Sequence, residues 1–214
     1  MYLLIKGVGM MYIPKYYEMK DYEEIKRFIN AYNFATVVSI DGEQPVATHV
    51  PVNIYEDDKQ LYVSGHLAKG NQQWRTLNNN KSILVIFQGP HGYVSSTWYE
   101  NEDVPTWDYQ SVHIYGEGQL LTHEALEADL AKLLDQYEGH REDGATWNNL
   151  LDNTKQQIKG IVGFKIKVND IQAAYKLSQN KSEKDYTTIV EHLAESDDES
   201  EQQLADVIKD HRQS

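Results

Sequence analysis

The first third of the chain changes from a helical to an extended pattern of apolar side chains. Between Asp21 and Tyr32 the apolar residues recur every three to four positions, and Glu24 follows Asp21 at the spacing of a capping box. This pattern predicts a helix that is capped by Asp21. After it come three predicted strands, over residues 34–40, 46–55 and 60–65.

The rest of the chain continues this mixture of strands and helices. Residues 89–92, Gly-Pro-His-Gly, are predicted to form a turn between two strands. Thr122 is a suitable helix cap and an apolar stripe follows it, which predicts a helix through Tyr137. The other predicted elements are short helices over 69–79 and 147–158, strands over 82–87, 93–95, 109–121 and 161–168, and a helix near the C-terminus.

Short strands joined by tight turns, with helices inserted between them, are typical of an antiparallel barrel. A doubly wound parallel sheet would instead alternate strands and helices regularly. The predicted fold is therefore mainly β with α decorations. We expect residues 1–10 to be a tag or an upstream extension, residues 11–181 to form the barrel domain, and residues 182–214 to form an acidic helical tail.

Composition and charge narrow the range of possible functions. The chain has no cysteine, which excludes disulfides, thiolate-bound zinc and a cysteine nucleophile and fits a cytoplasmic protein. The apolar start of the chain is too short to cross a membrane. The net charge is −13, and no basic recognition helix is visible, so direct DNA binding is doubtful.

The first candidate binding segment runs from Ser64 to Trp74. A strand ends in glycine and a predicted helix begins, so free backbone N–H groups and the ammonium of Lys69 could together hold a phosphate. An ordinary solvated turn between a strand and a helix is the alternative. The candidate residues in this segment are His66, Lys69, Asn71 and Trp74.

Two further segments could form the walls around a flat ligand. Residues 87–99 combine glycines, which permit close backbone approach, with side chains that could stack or hydrogen-bond; a hairpin with a satisfied histidine is the alternative. In the next segment, Pro105 stiffens a loop that delivers Trp107 and Tyr109 beside the polar Thr106 and Asp108. Its alternative is a plug in the core, in which the tryptophan packs and the aspartate caps. The candidates in these two segments are Gln88, Ser95, Trp98, Thr106 and Trp107.

The fourth segment follows a strand-like stretch and is rich in hydrogen-bonding side chains, namely Lys176, Ser178, Gln179 and Asn180. An ordinary C-terminal turn is its alternative. Eight histidines are present, but they form no pair at metal-ligand spacing, and we expect no metal site. The glycine motif of dinucleotide folds and the nucleophile motif of hydrolases are both absent.

Taken together, the order and spacing of these segments resemble the PaiB family, described as FMN-binding negative transcriptional regulators. The matching motifs are Met-Tyr-Ile-Pro at 11–14, Gly-His-Leu-Ala at 65–68, Phe-Gln-Gly-Pro-His at 87–91, Val-Pro-Thr-Trp at 104–107 and Lys-Leu-Ser-Gln-Asn at 176–180. The resemblance covers about residues 11–181. It implies a split β-barrel that forms homodimers, with flavin mononucleotide (FMN) bound at the interface.

The resemblance also implies roles for the candidate residues. His66, Lys69 and Asn71 would lie near the phosphate, with Trp74 in the same segment. Near the isoalloxazine ring would be Gln88, Ser95 and Trp98. Thr106 and Trp107 would close the pocket. Four further residues could reach it from either subunit, namely Lys176, Ser178, Gln179 and Asn180.

The expected function is that of a PaiB-type transcriptional regulator of degradative-enzyme and sporulation genes. The acidic charge favours action through the flavin's redox state, a small molecule or a protein partner over direct contact with DNA. Two alternatives use the same fold: a flavin-dependent oxidoreductase, and a split-barrel protein that accommodates haem.

Overall fold

The computed structural model describes residues 11–213, which contain seven strands and six α-helices. The expected extension at 1–10 lies outside these residues. The strands are β1 (Phe34–Asp41), β2 (Gln44–Pro51), β3 (Asn53–Asp57), β4 (Gln60–Ala68), β5 (Ile83–Val94), β6 (Thr106–Leu120) and β7 (Ile161–Lys176). The helices are α1 (Tyr22–Ala31), α2 (Trp74–Leu77), α3 (His123–Glu138), α4 (Asp152–Lys155), α5 (Glu183–Ala194) and α6 (Glu199–Gln213).

All seven strands belong to one sheet, in the order β2-β1-β5-β6-β7-β4-β3. The hairpin of β1 and β2 aligns Thr36 with His49, and the pair of β4 and β7 aligns His66 with Gly163; both pairs are antiparallel. Burial alternates along the strands, as expected for a sheet with one face in the core. The predicted class, mainly β and antiparallel with helices added, is confirmed.

The chain divides into two units. The central unit comprises Ile29–Phe87 and His113–Ile171, and its fully buried side chains include Val37, Val63, Val85, Phe87, Ile114, Phe164 and Ile166. The terminal unit comprises residues 11–28, Gln88–Val112 and residues 172–213, and its buried side chains include Val94, Tyr175, Ile189, Leu193, Leu204 and Ile208.

The predicted turn at 89–92 is wrong, because β5 runs straight through these residues. The glycines serve close packing instead. A Cβ on Gly89 would lie 2.6 Å from the ring of Phe28, and one on Gly92 would lie 2.9 Å from Glu201 and 3.2 Å from Leu204. Burial also changes phase here, since Gly89 and Pro90 are both buried in succession. Glycine in this strand marks close approach, not reversal.

The helix predicted over 69–79 shrinks to the single turn of α2. Residues 69–73 form a turn that is held by one local and one long-range hydrogen bond: the N–H of Asn71 donates to the carbonyl of Ala68, and the N–H of Lys69 donates to the carbonyl of the distant Gly160. The strand predicted over 46–55 is likewise interrupted, at Val52, whose N–H donates to the carbonyl of Asn33. In both places tertiary hydrogen bonds replace the regular pattern that the sequence favours.

The C-terminal part is more regular than the sequence suggests. β7 extends to Lys176, and the acidic stretch that follows forms two helices, of which α5 is capped by Ser182 through the N–H of Asp185. Ser200 and Glu201, in α6, hydrogen-bond the backbone of β5 at His91 and Tyr93. Among the helices of residues 11–213, none has the length and apolar character needed to cross a membrane.

Candidate functional site

In the central unit, the end of β4 leads into an exposed lysine. Lys69 forms no ion pair within residues 11–213 and its side chain faces solvent. Its carbonyl accepts a hydrogen bond from the indole N–H of Trp74 at 3.2 Å, and the guanidinium of Arg75 lies 5.3 Å from the Trp74 ring. The structure thus brings a free ammonium, a fixed indole and a second cation together beside one turn.

Asn71, another predicted phosphate contact, is engaged within the protein. Its side chain donates to Thr48 at 2.8 Å and accepts from the backbone N–H of Gln73. Gln73 is itself buried, and its amide donates to the carbonyls of Val37 and Val46. The turn that carries Lys69 is therefore pinned to the β1–β2 hairpin. Sequence reasoning missed Gln73, since a glutamine in a polar stretch gives no sign of burial.

His66 and His113 lie on the strands of the central unit, and the Nδ1 atom of each is buried without a hydrogen-bond partner among the described residues. Burial lowers the pKa of His66, although the nearby carboxylate of Asp129 acts in the opposite direction. Burial alone lowers the pKa of His113. Asp129 accepts hydrogen bonds from Asn53 and Ser64. Both imidazoles are therefore held neutral near physiological pH.

His113 gives a testable pH dependence. Because its pKa is lowered in the folded protein, its contribution to stability is present above the ordinary histidine pKa of about 6.5 and is lost as the pH falls towards the folded value. We expect His113→Gln to reduce the fall in Tm between pH 7.5 and pH 5.5, measured by calorimetry. His123→Gln, at an exposed position, is the control. Parallel pH profiles for wild type and His113→Gln would contradict the assignment.

In the terminal unit, an aromatic patch formed by His91, Tyr93 and Trp107 lies on β5 and β6. Trp107 is 55% exposed, and its ring lies 6.2 Å from that of His91 and 6.0 Å from that of Tyr93. A plug in the core, the alternative for this segment, does not match this exposure. Exposed aromatic rings grouped in this way suit a planar ligand or a partner surface.

The other candidates on β5 and the turn after it differ in their surroundings. Gln88 is exposed on the strand. Ser95 caps the short helical turn at Ser96–Trp98 by accepting from the N–H of Thr97. The ring of Trp98 stacks on His192 of α5, with the ring centroids 4.7 Å apart. His192 was not predicted, since it lies in the acidic tail to which the sequence assigned no role in the site.

Three predicted residues, Thr106, Lys176 and Ser178, meet around a carboxylate that the sequence did not single out as a site residue. Asp108 is only 1% exposed, and it accepts from the ammonium of Lys176 at 3.2 Å and from the hydroxyl of Ser178 at 2.5 Å. The same ammonium donates to the hydroxyl of Thr106 at 2.5 Å. Burial raises the pKa of Asp108, and these hydrogen bonds and cations oppose that effect.

Gln179 and Asn180 complete the segment after β7. The side chain of Gln179 folds back on its own chain, accepting from the N–H of Leu177 and donating to the carbonyl of Tyr175. Asn180 accepts from the hydroxyl of Tyr17 at 3.4 Å. These bonds fit the turn that was the alternative for this segment, and they leave Gln179 with little capacity for a ligand.

A flavin nucleotide requires a cation for its phosphate and apolar or aromatic surface for its ring system. The central unit contains a free ammonium of this kind, that of Lys69. The terminal unit contains an exposed aromatic ring, that of Trp107. The buried, unpartnered Nδ1 of His66 adds a polar atom close to the Lys69 turn. The residues present therefore fit FMN. Within residues 11–213, no group of three or more histidine, aspartate or glutamate side chains could hold a metal ion.

Comparison with known proteins places the chain in a family. A family profile described as "Putative FMN-binding domain" matches residues 11–170. The chain is also 46% identical, over 201 residues, to "Protease synthase and sporulation protein PAI 2" of Bacillus subtilis, covering 94% of this chain and 97% of that one. The chain belongs to the PaiB family. The predicted family and the predicted cofactor, FMN, are thereby confirmed.

Solved structures support the fold. The FAD and heme binding protein from Mycobacterium smegmatis superposes with a TM-score of 0.61 at 16% identity, covering 79% of this chain and 78% of that one. The flavocytochrome Anf3 from Azotobacter vinelandii gives a TM-score of 0.58 at 17% identity, covering 82% and 78%. These likenesses confirm the split-barrel architecture of this PaiB-family chain.

Proposed function

We propose that this chain is a flavin-dependent regulator of the PaiB type, which senses a redox state or a small molecule through bound FMN. The identity of 46% to the Bacillus subtilis protein named for protease synthesis and sporulation carries the proposal, because it extends over 94% of the chain. A match that covers 97% of the relative as well leaves little of either chain without a counterpart, and so favours a shared role.

Taken unit by unit, each proposed cofactor contact has a task that its own surroundings allow, with Lys69 in the central unit and Trp107, Gln88 and Ser95 in the terminal unit. Lys69 holds the phosphate, since its ammonium is exposed and forms no ion pair in residues 11–213. Trp107 lies against the ring system, with Gln88 and Ser95 as hydrogen-bonding neighbours. Bound FMN supplies the electron-transfer chemistry that these side chains lack. The protein's part is to bind and orient the cofactor.

The signal is proposed to pass to a protein partner, in keeping with the charge of the chain. A net charge of −13 repels the phosphates of DNA, and residues 182–214, which include helices α5 and α6, carry ten Asp or Glu side chains against three Lys or Arg. We also propose that the chain acts as a homodimer. The exposed aromatic patch of His91, Tyr93 and Trp107 supports a partner surface of this kind.

The cofactor test uses the native protein purified without added flavin. We expect native mass spectrometry to find FMN bound to a dimer, and the absorbance spectrum to show flavin bands. A colourless protein that also fails to bind added FMN would refute the proposal. A haem absorbance band in place of flavin bands would support the haem-binding alternative.

The role of the flavin is tested with a nicotinamide donor and with promoter DNA. A regulator is expected to be reduced slowly, without rapid turnover when an electron acceptor is added. Fast bleaching followed by reoxidation through a substrate would favour an oxidoreductase. A gel shift on promoter DNA that weakens steeply with salt would contradict the proposed indirect action.

A further inference from the structure

Asp108 is the most deeply buried carboxylate of the terminal unit, and it has two partners. Its Oδ1 accepts from Lys176 Nζ at 3.2 Å and its Oδ2 accepts from Ser178 Oγ at 2.5 Å, while its side chain is 1% exposed. A buried carboxylate is tolerated only when it is paired and hydrogen-bonded. The pairing of Asp108 therefore constrains where Lys176 and Ser178 can lie.

The ammonium of Lys176 donates all three of its hydrogen bonds to residues at the start of β6. Its ammonium donates to the hydroxyl of Thr106 at 2.5 Å, to the carbonyl of Trp107 at 2.5 Å and to Asp108 at 3.2 Å. A lysine ammonium has three N–H donors, so none remains for a ligand in this arrangement. The side chain is also largely buried, with 18% exposed. The two short bonds fix the backbone and the side chain immediately around Trp107.

Ser178 lies in a backbone conformation that serine rarely adopts. Its φ is +57°, in the left-handed region, and its side chain is buried. Such a conformation costs free energy and persists only where the surroundings enforce it. The hydrogen bond from Ser178 to Asp108 provides that enforcement, so the turn after β7 and the start of β6 are held as one arrangement.

We propose that Asp108, Lys176 and Ser178 form a positioning triad, which sets the orientation of the Trp107 ring for the flavin and does not itself contact the flavin. The triad acts through two oxygen atoms that accept from the Lys176 ammonium, the Thr106 hydroxyl and the Trp107 carbonyl. The proposal rests on the proposed function, in which Trp107 lies against FMN. In place of the expected direct contact of Lys176 or Ser178 with the flavin, these two residues then act on it through Trp107.

The test labels the full chain with 5-fluorotryptophan and follows the ¹⁹F NMR signal of Trp107, assigned with Trp107→Phe. In the protein without FMN, Ser178→Ala and Lys176→Met are each expected to shift or broaden this signal. The signal of Trp147, whose indole donates to Glu127 in the central unit, is expected to stay in place. Lys209→Met, which removes an exposed ion pair with Asp206, is the matched control and should move neither signal.

Affinity for FMN supplies the second readout. Loss of one hydrogen bond in the triad, in Ser178→Ala, is expected to weaken FMN binding about three- to tenfold although this hydroxyl touches no ligand. Lys176→Met leaves a buried carboxylate unpaired, so the double variant Asp108→Asn/Lys176→Met, which removes both charges, is measured beside it. The double variant is expected to fold and still to show a displaced Trp107 signal, because the bond to the Trp107 carbonyl is gone.

Two results would overturn the triad. One is an unmoved Trp107 signal in both Ser178→Ala and the double variant. The other is weaker FMN binding with Lys176→Met alone, while Ser178→Ala leaves both readouts as in wild type, since a direct lysine contact would give that pattern. If no variant and no wild-type protein binds FMN, the proposed function fails, yet the ¹⁹F signals still decide whether the triad positions Trp107.

Discussion

Replacing Lys69 with alanine is expected to weaken FMN binding about 10- to 150-fold, which corresponds to about 1.5–3 kcal/mol for a lost charged hydrogen bond. The ammonium of Lys69 is exposed and forms no ion pair within residues 11–213, so its removal leaves no buried charge behind. The turn around it is held by Asn71 and Gln73 and does not depend on the lysine side chain. The fold should therefore be unchanged.

Titration of the cofactor-free protein with FMN and with riboflavin gives the sharpest measurement. Riboflavin lacks the phosphate, so its affinity should be the same for wild type and Lys69→Ala, while the affinity for FMN falls. Lys81→Ala, at another exposed lysine of the central unit, is the control and should behave as wild type. An unchanged FMN dissociation constant, or an equal loss for both ligands, would remove Lys69 from the phosphate site.

Gly118→Ala is expected to destabilise the protein by about 3 kcal/mol, the upper range for overpacking a filled site. A Cβ at this position would collide with the carbonyl oxygen of Leu77 and with the side chain of Ile83. Gly118 also exchanges backbone hydrogen bonds with Asn79 and Asn80, at 2.9 Å and 2.8 Å, so the chain cannot simply move away. The Ile83 side chain could turn aside, but the Leu77 carbonyl is backbone and cannot, so the collision with it remains.

Thermal unfolding measures this effect, with an expected fall in Tm of about 6–12 °C for a chain of this size. Gly160→Ala is the matched control, because a Cβ there meets nothing within 4 Å and its φ lies outside the left-handed region. We expect the control to change stability by less than about 0.5 kcal/mol. Similar losses for both variants would mean that the helix and strand propensities of glycine, not the collision, cause the effect.

The sequence predicted the long periodic elements well because their signals are local. Asp21 accepts from the N–H of Glu24 at 2.9 Å and Thr122 accepts from that of Ala125 at 3.2 Å, so both predicted helix caps are present. The turn predicted at 89–92 failed for the opposite reason. Its glycines are required by close packing against Phe28 and Leu204, which are distant along the chain. No local sequence pattern reveals such packing.

The candidate site also contains some residues that the sequence could identify and others that it could not. Thr106, Lys176 and Ser178 could be selected from their residue types, and the structure does bring them together. Asp108 was noted beside Trp107 but not chosen as a binding residue, and Gln73 was missed, because the sequence does not tell a buried carboxylate or amide from a solvated one. One signal was available for Asp108: it occupies a position of β6 at which the alternation of the strand places side chains on the buried face.

The terminal unit is assembled from both ends of the described chain. The backbone N–H of Met11 donates to Gln172 and that of Met19 donates to Ala173, while Leu193 and Leu204 cover Gly92. On the ribosome, the central unit is synthesised completely before residues 172–213 appear. A nascent chain must therefore carry β5 with its Gly92 face uncovered until translation is almost finished, and transiently exposed surface of this kind is prone to aggregation.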